Sequence, residues 1–181
     1  MPEPHAVSTA LPISQFDKAL HDCSAFSCGF LPIDNFLKDA LADHINSGYL
    51  TAYVATEEGQ KDVVGVYTLN AFAIKPDHIE TPKEPRPPPT IPAIYMKVVA
   101  VREDRQGMGL GKALMVNALR KSLEISKDVG SMAVVLDVLR DENFERRFAF
   151  YKNLGFQPLN DPKNADRVYI SLNDVAATLS N

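Results

Sequence analysis

The 181-residue chain has no tryptophan, two cysteines and four histidines. Cys23 and Cys28 have no set of Cys or His partners at metal-ligand spacing, which argues against a disulfide scaffold or a metal centre and leaves two reduced thiols. No apolar run approaches the length of a membrane span. The first twenty residues carry no basic region followed by a hydrophobic block, so no secretory signal is expected and the chain reads as cytoplasmic. A formal net charge of −4 argues against a uniformly basic surface for nucleic acid and leaves local patches open. The histidines (His5, His21, His44, His78) are scattered, and His44 falls in a helical apolar pattern as a packed or rim residue. Internal repeats are absent. What the chain does have is 45% hydrophobic residues, enough for the core of one domain spanning residues 1–181.

The order of elements is mixed. Ala6 to Ile13 reads as a first strand and Asp17 to Asp22 as a short helix. Ile33, Phe36, Leu37, Ala40, Leu41, His44 and Ile45 follow the spacing of an amphipathic helix, with Pro32 near its start and Gly48 at its end. Leu50–Thr56 and Val63–Phe72 read as strands around a turn at residues 57–60. From Lys75 to Pro92 stand seven prolines, an arm between two strands that cannot donate to a ladder and favours extended conformation. Ala93–Val101 reads as one strand, Gly109–Lys127 as a long helix and Ser131–Leu139 as a central strand. Asn143–Leu154 reads as the last long helix, Arg167–Leu172 as a final strand and Asp174–Leu179 as a short tail. Antiparallel strands followed by alternating strands and helices predict an α+β fold.

The most informative segment is Arg105-Gln106-Gly107-Met108-Gly109-Leu110-Gly111-Lys112, between a strand and a helix. A glycine-rich turn there gathers unpaired N–H groups at the positive end of a helix dipole, a cradle for a phosphate or pyrophosphate. It is not a nucleotide-triphosphate loop, because Ala113 follows Lys112 where a hydroxyl is required. Nor is it the dinucleotide fingerprint, because Lys112 stands where the third glycine belongs. A second segment, Phe148 to Phe156, closes a helix on Tyr151 and exits through Gly155-Phe156. Tyr151 taken alone reads as a core or rim tyrosine.

Gln106-x-x-Gly109-x-Gly111, with the Phe150-Tyr151…Gly155-Phe156 exit about forty residues later, resembles the GCN5-related N-acetyltransferase (GNAT) superfamily. The resemblance implies a mixed, mostly antiparallel sheet splayed around acetyl-coenzyme A and flanked by helices. It implies that Gln106, Gly107, Met108, Gly109, Leu110, Gly111 and Lys112 hold the pyrophosphate. Val99 and Val101 would offer main-chain groups to the pantetheine arm, and Asn143 would stand near the coenzyme. Tyr151 would be the acid that protonates the departing thiolate; no metal is implied. Asp137 is either a base facing the cleft or a sheet-end carboxylate pointing to water. Phe26-Ser27-Cys28-Gly29 and Phe36-Leu37-Lys38 are similar to the superfamily's toxin branch. That branch implies acetylation of the α-amine of aminoacyl-tRNA, a small ribbon-helix-helix antitoxin and a homodimer. The competing expectations are a small-molecule, polyamine or protein amine as acceptor, or a coenzyme-binding module without catalysis.

Overall fold

The computed structural model describes residues 10–180. In chain order the elements are β1 (Ile13–Gln15), α1 (Leu31–Asn35), a π-helical turn (Phe36–Ala40), α2 (Leu41–Asn46), β2 (Thr51–Thr56), β3 (Val63–Ile74), β4 (Ile91–Tyr95) and β5 (Val99–Val101). There follow α3 (Leu110–Asp128), β6 (Ala133–Asp137), α4 (Phe144–Asn153), β7 (Gln157–Pro158), β8 (Arg167–Ser171) and α5 (Leu172–Leu179). Eight strands form one sheet in the order β1-β2-β3-β4-β6-β8-β7, with β5 also paired to β3. Every pairing is antiparallel except β4 with β6. This is the expected α+β, mostly antiparallel architecture.

Three local expectations need correction. Residues 6–9 of the first expected strand lie outside the described residues, and β1 begins only at Ile13. Asp17–Asp22 is a turn, not a helix. The Leu20 and His21 N–H groups both bond the Asp17 carbonyl, at 3.0 and 2.8 Å, closing one turn, while the Asp17 carboxylate accepts the Ala19 N–H at 2.8 Å and the His21 ring accepts the Asp17 N–H at 2.9 Å. The expected strand over 93–101 is divided. Asn70 pairs with Tyr95, but Tyr67 pairs with Val99, so one extra residue is accommodated between β4 and β5. The buried Thr68 hydroxyl takes the Val98 N–H at 3.1 Å, and Thr68 N–H bonds the Val98 carbonyl at 3.0 Å. This is a β-bulge, a device that bends a strand and redirects it.

The amphipathic helix is present but widens by a π turn in its middle, where the His44 ring bonds the Ala40 carbonyl at 2.9 Å. His44 packs edge-on against Phe36 and Tyr49, as a rim histidine. Beyond β3 the proline arm forms a short 3-10 turn, Pro76–His78, and its expected end is corrected: Ile91 and Pro92 belong to β4, with Pro92 opposite Ala73 and its carbonyl accepting the Met132 N–H at 2.8 Å.

The apolar face of α3 (Leu110, Leu114, Met115, Ala118, Leu119) lies in one core cluster with residues of β3, β6, β8 and α5. Gly65 permits this approach. A Cβ built there would meet Leu114 Cδ1 at 2.9 Å and Leu110 Cδ2 at 3.2 Å, both from buried side chains. Gly65→Val should therefore destabilise the protein by about 1–3 kcal/mol through overpacking, although valine is the better strand former. A thermal melt reads this as a fall of roughly 2–4 °C per kcal/mol. An unchanged or raised midpoint would contradict the packing.

Candidate active site

The bulge creates the site. β4 runs beside β6 as far as Tyr95 and Val135, with one further bond from Met96 N–H to the Val135 carbonyl at 2.8 Å. After it, β5 follows β3 and leaves β6. The gap is a cleft of about 1180 Å³ lined on one side by Val99, Ala100 and Val101 and on the other by Leu136, Asp137 and Val138. That volume exceeds the usual range of about 300–1,000 Å³ for small-molecule sites and suits a long ligand. Arg102 N–H bonds the Val64 carbonyl, so by antiparallel alternation Ala100 turns its polar groups to β3. The main-chain groups of Val99 and Val101 consequently face the gap.

The glycine turn stands at the mouth of the cleft. Gly107 and Gly109 have φ of 75° and 84°, the left-handed region that a side chain disfavours. Gly109 caps α3 without a side-chain bond, and Ala113 N–H to the Gly109 carbonyl at 3.1 Å is the first helical bond. The N–H groups of Leu110, Gly111 and Lys112 thus have no helical partner, and the helix dipole adds to them. Gln106, Gly107, Gly109, Gly111 and Lys112 line the cleft. Met108 is at the exposed tip, 70% accessible, and the Leu110 side chain is buried in the core. Asn143 precedes α4, its N–H bound to Asp141 Oδ1, and is not part of the cleft lining.

Tyr151 lines the same cleft from α4. Its ring is held edge-on by Phe150 (centroids 5.3 Å) and Phe156 (5.7 Å). Gly155, at φ 97°, turns the chain so that Phe156 N–H reaches back to the Tyr151 carbonyl at 3.1 Å, the expected helix exit. Burial pushes the phenol up to about 12 against the opposing pull of Arg147, so it stays protonated at neutral pH. Cys28, also in the lining, is pushed up to about 11 by burial and then by Asp34, and as a neutral thiol it is a poor nucleophile.

Asp137 reaches the cleft, but both oxygens are engaged. Arg167 donates to Oδ1 at 2.6 Å and to Oδ2 at 2.9 Å, and the Tyr95 hydroxyl donates to Oδ2 at 2.9 Å. It is neither a free base nor a carboxylate pointing simply to water.

Cleft charge is the feature that sequence reading missed. Seven cationic side chains (Lys97, Lys112, Arg140, Arg146, Arg147, Lys163, Arg167) and two carboxylates (Asp137, Asp166) line it, in a chain of net charge −4. Arg140 pairs with Asp166, Arg147 with Asp141 and Arg167 with Asp137. Lys97, Lys112, Arg146 and Lys163 form no ion pair among the described residues, and Lys97 lies 4.5 Å over the Phe36 ring. Arg147 was available to the sequence reading as the residue one helical turn before Tyr151. Lys97 and Lys163 carried no such signal. Among the described residues no group of His, Cys, Asp and Glu could hold a metal, and no helix is long and apolar enough to cross a membrane.

Residues 48–158 match the acetyltransferase (GNAT) domain family. A protein of Sinorhizobium fredii named "Probable toxin TacT" is 34% identical over 152 residues, 81% of this chain and 84% of that one. A "tRNA-acetylating toxin" of Mycobacterium tuberculosis is 31% identical over 139 residues, 75% of this chain and 78% of that one. In fold, the chain is similar to the solved structure of AtaT complexed with acetyl-methionyl-tRNAfMet, with a TM-score of 0.83 over 93% of this chain and 99% of that one, at 24% identity.

Proposed function

The chain belongs to the acetyltransferase (GNAT) family, and we propose that it transfers the acetyl group of acetyl-coenzyme A to the α-amine of aminoacyl-tRNA, as the toxin of a toxin–antitoxin pair. The observation that carries this reading is the convergence in one cation-lined cleft of the glycine-turn amides, the edge of β5 that no strand covers, where only the Val101 carbonyl is engaged (by Gln106), and the Tyr151 phenol. The diphosphate accepts from the N–H groups of residues 107–112, and the pantetheine arm lies along Val99 and Val101. The amine nitrogen attacks the thioester carbon and the carbon–sulfur bond breaks. Tyr151 donates a hydrogen bond to the sulfur as charge builds on it, and the proton released by the amine neutralises the thiolate through solvent. Asp137 does not serve as base, because Arg167 and Tyr95 occupy it. An α-amine needs none: with a pKa near 8 it is about a tenth neutral at pH 7, whereas a lysine near 10.4 is almost wholly charged.

The acceptor reading draws on the names of the two curated relatives and on the cations left unpaired in the cleft. A small ribbon-helix-helix antitoxin, a homodimer and a cytoplasmic location complete the proposal; a mutant of the AtaT toxin, similar in fold, has been solved bound to the C-terminus of the antitoxin AtaR. The test is transfer of labelled acetyl from acetyl-coenzyme A to a charged total tRNA pool, with polyamines and free amino acids as competing acceptors. Labelled aminoacyl-tRNA is expected, with tRNA binding weakened about 10³-fold between 50 and 200 mM salt if some six phosphates are contacted. Label only on small amines, indifferent to salt, would replace this acceptor by the small-amine one.

A further inference from the structure

The Gln106 side chain has no donor to spare for an anion. Its Nε2 donates to the Val101 carbonyl at 2.9 Å and to the Cys28 carbonyl at 3.0 Å. A carboxamide has two N–H donors, so both are used, and its remaining oxygen can only accept. The side chain is thus a tie between the end of β5 and the segment before α1, which is 78 residues away in sequence. A second tie lies beside it: Glu103 N–H bonds the Ser27 carbonyl at 2.9 Å, and the Ser27 hydroxyl donates to Glu103 Oε1 at 2.8 Å. On its other side the segment is anchored to the buried Asp34 of α1, which takes the Cys28 N–H at 2.8 Å. Residues 27–30 have no ladder or helix of their own. Their position is set by the glycine turn on one flank and by Asp34 on the other. Cys28 and Phe30, with Ile33 of α1, contribute lining to the cleft.

We propose that Gln106 is a positioning residue that makes the 27–30 wall follow the glycine turn, so that binding of acetyl-coenzyme A sets the shape of the space left for the acceptor. This rests on the reading of residues 107–112 as the diphosphate site. An anion held by those amides fixes the turn; Gln106, next to it, then fixes the Cys28 carbonyl, and Phe30 and Ile33 are held with it.

The experiment is Gln106→Leu, which keeps the bulk of the side chain and removes both donors at an exposed position where water can reach the two carbonyls. Calorimetry should give an acetyl-coenzyme A Kd within about threefold of wild type. Steady-state kinetics with the charged tRNA pool should give an acceptor KM about tenfold higher, with kcat within about threefold, from loss of two neutral hydrogen bonds. Hydrogen exchange should slow over residues 27–30 when acetyl-coenzyme A is added to wild type, and should fail to slow in Gln106→Leu. Ser27→Ala, which removes the hydroxyl bonds to Glu103 and Asp34 and leaves the Glu103 N–H bond to the Ser27 carbonyl, should move acceptor KM in the same direction by less, and it decides the matter if Gln106→Leu does not fold. A tenfold weaker coenzyme Kd with unchanged acceptor KM would make the side chain a coenzyme ligand and overturn the proposal. Exchange over 27–30 that ignores the coenzyme in a wild-type protein that binds it would do the same. A wild-type protein that takes up no acetyl-coenzyme A overturns the diphosphate reading, and this one with it.

Discussion

Replacing Tyr151 by phenylalanine is expected to slow acetyl transfer by about 10²-fold or more, the range for losing one hydrogen-bond donor to charge that develops in the transition state, while leaving acetyl-coenzyme A binding intact. The substitution removes one oxygen and keeps the ring, so the edge-on contacts with Phe150 and Phe156 survive and the effect is chemical, not structural. Burial has already decided the protonation state. With its pKa raised to about 12, the phenol holds its proton across the working range and loses it only as pH rises through that value. A phenol this weak is less acidic than a thiol near 8.5, so it acts chiefly by donating a hydrogen bond to sulfur as the bond breaks, and the amine provides the net proton. The pH profile follows with its sign. The rate rises as the α-amine deprotonates, levels off above about pH 8 and shows no descending limb up to about pH 10. A kcat untouched by Tyr151→Phe in a discontinuous assay would remove Tyr151 from the chemistry; a fall in rate between pH 8 and 10 that Tyr151→Phe abolishes would contradict the raised phenol pKa.

Gly109→Val is expected to weaken acetyl-coenzyme A binding by about 10²-fold or more. At φ 84° a β-branched residue is strained, and no neighbour within 4 Å holds it there. The turn relaxes by rotating the peptide groups that begin α3, which swings the N–H groups of Leu110 and Gly111 off the diphosphate. Each bond to a charged oxygen contributes about 1.5–3 kcal/mol, so losing two gives the stated factor or more. The turn lies at the surface, and Gly109→Val should lower the melting midpoint far less than Gly65→Val does. Equal coenzyme affinity in Gly109→Val and wild type, measured calorimetrically, would mean that these amides do not bind the anion.

The parts of the site that could be read in the sequence are those whose geometry is local. Left-handed glycines at 107, 109 and 155, and a helix face carrying Phe148 and Tyr151, are written in a few consecutive residues. The parts that could not be read depend on partners distant in sequence. The division of residues 93–101 into two strands is fixed by a one-residue offset against β3 and by the Thr68 hydroxyl, neither visible from the apolar run itself. Gln106 belonged to the motif, but its side chain answers to Cys28 and Val101. Net charge averages over the whole surface and hid a cleft whose unpaired cations come from the β4–β5 bulge, α3, α4 and the loop before β8. Asp17 and His21 read as members of a helical pattern, and the structure has a single turn there whose ends their side chains tie.

The most direct test is a crystal structure of the protein with acetyl-coenzyme A. It should place diphosphate oxygens on the amides of residues 107–112, the pantetheine along Val99 and Val101, and the sulfur within about 3.5 Å of the Tyr151 hydroxyl, a hydrogen-bonding reach for sulfur. A diphosphate bound elsewhere, or a thioester lying out of reach of that hydroxyl, would contradict the account.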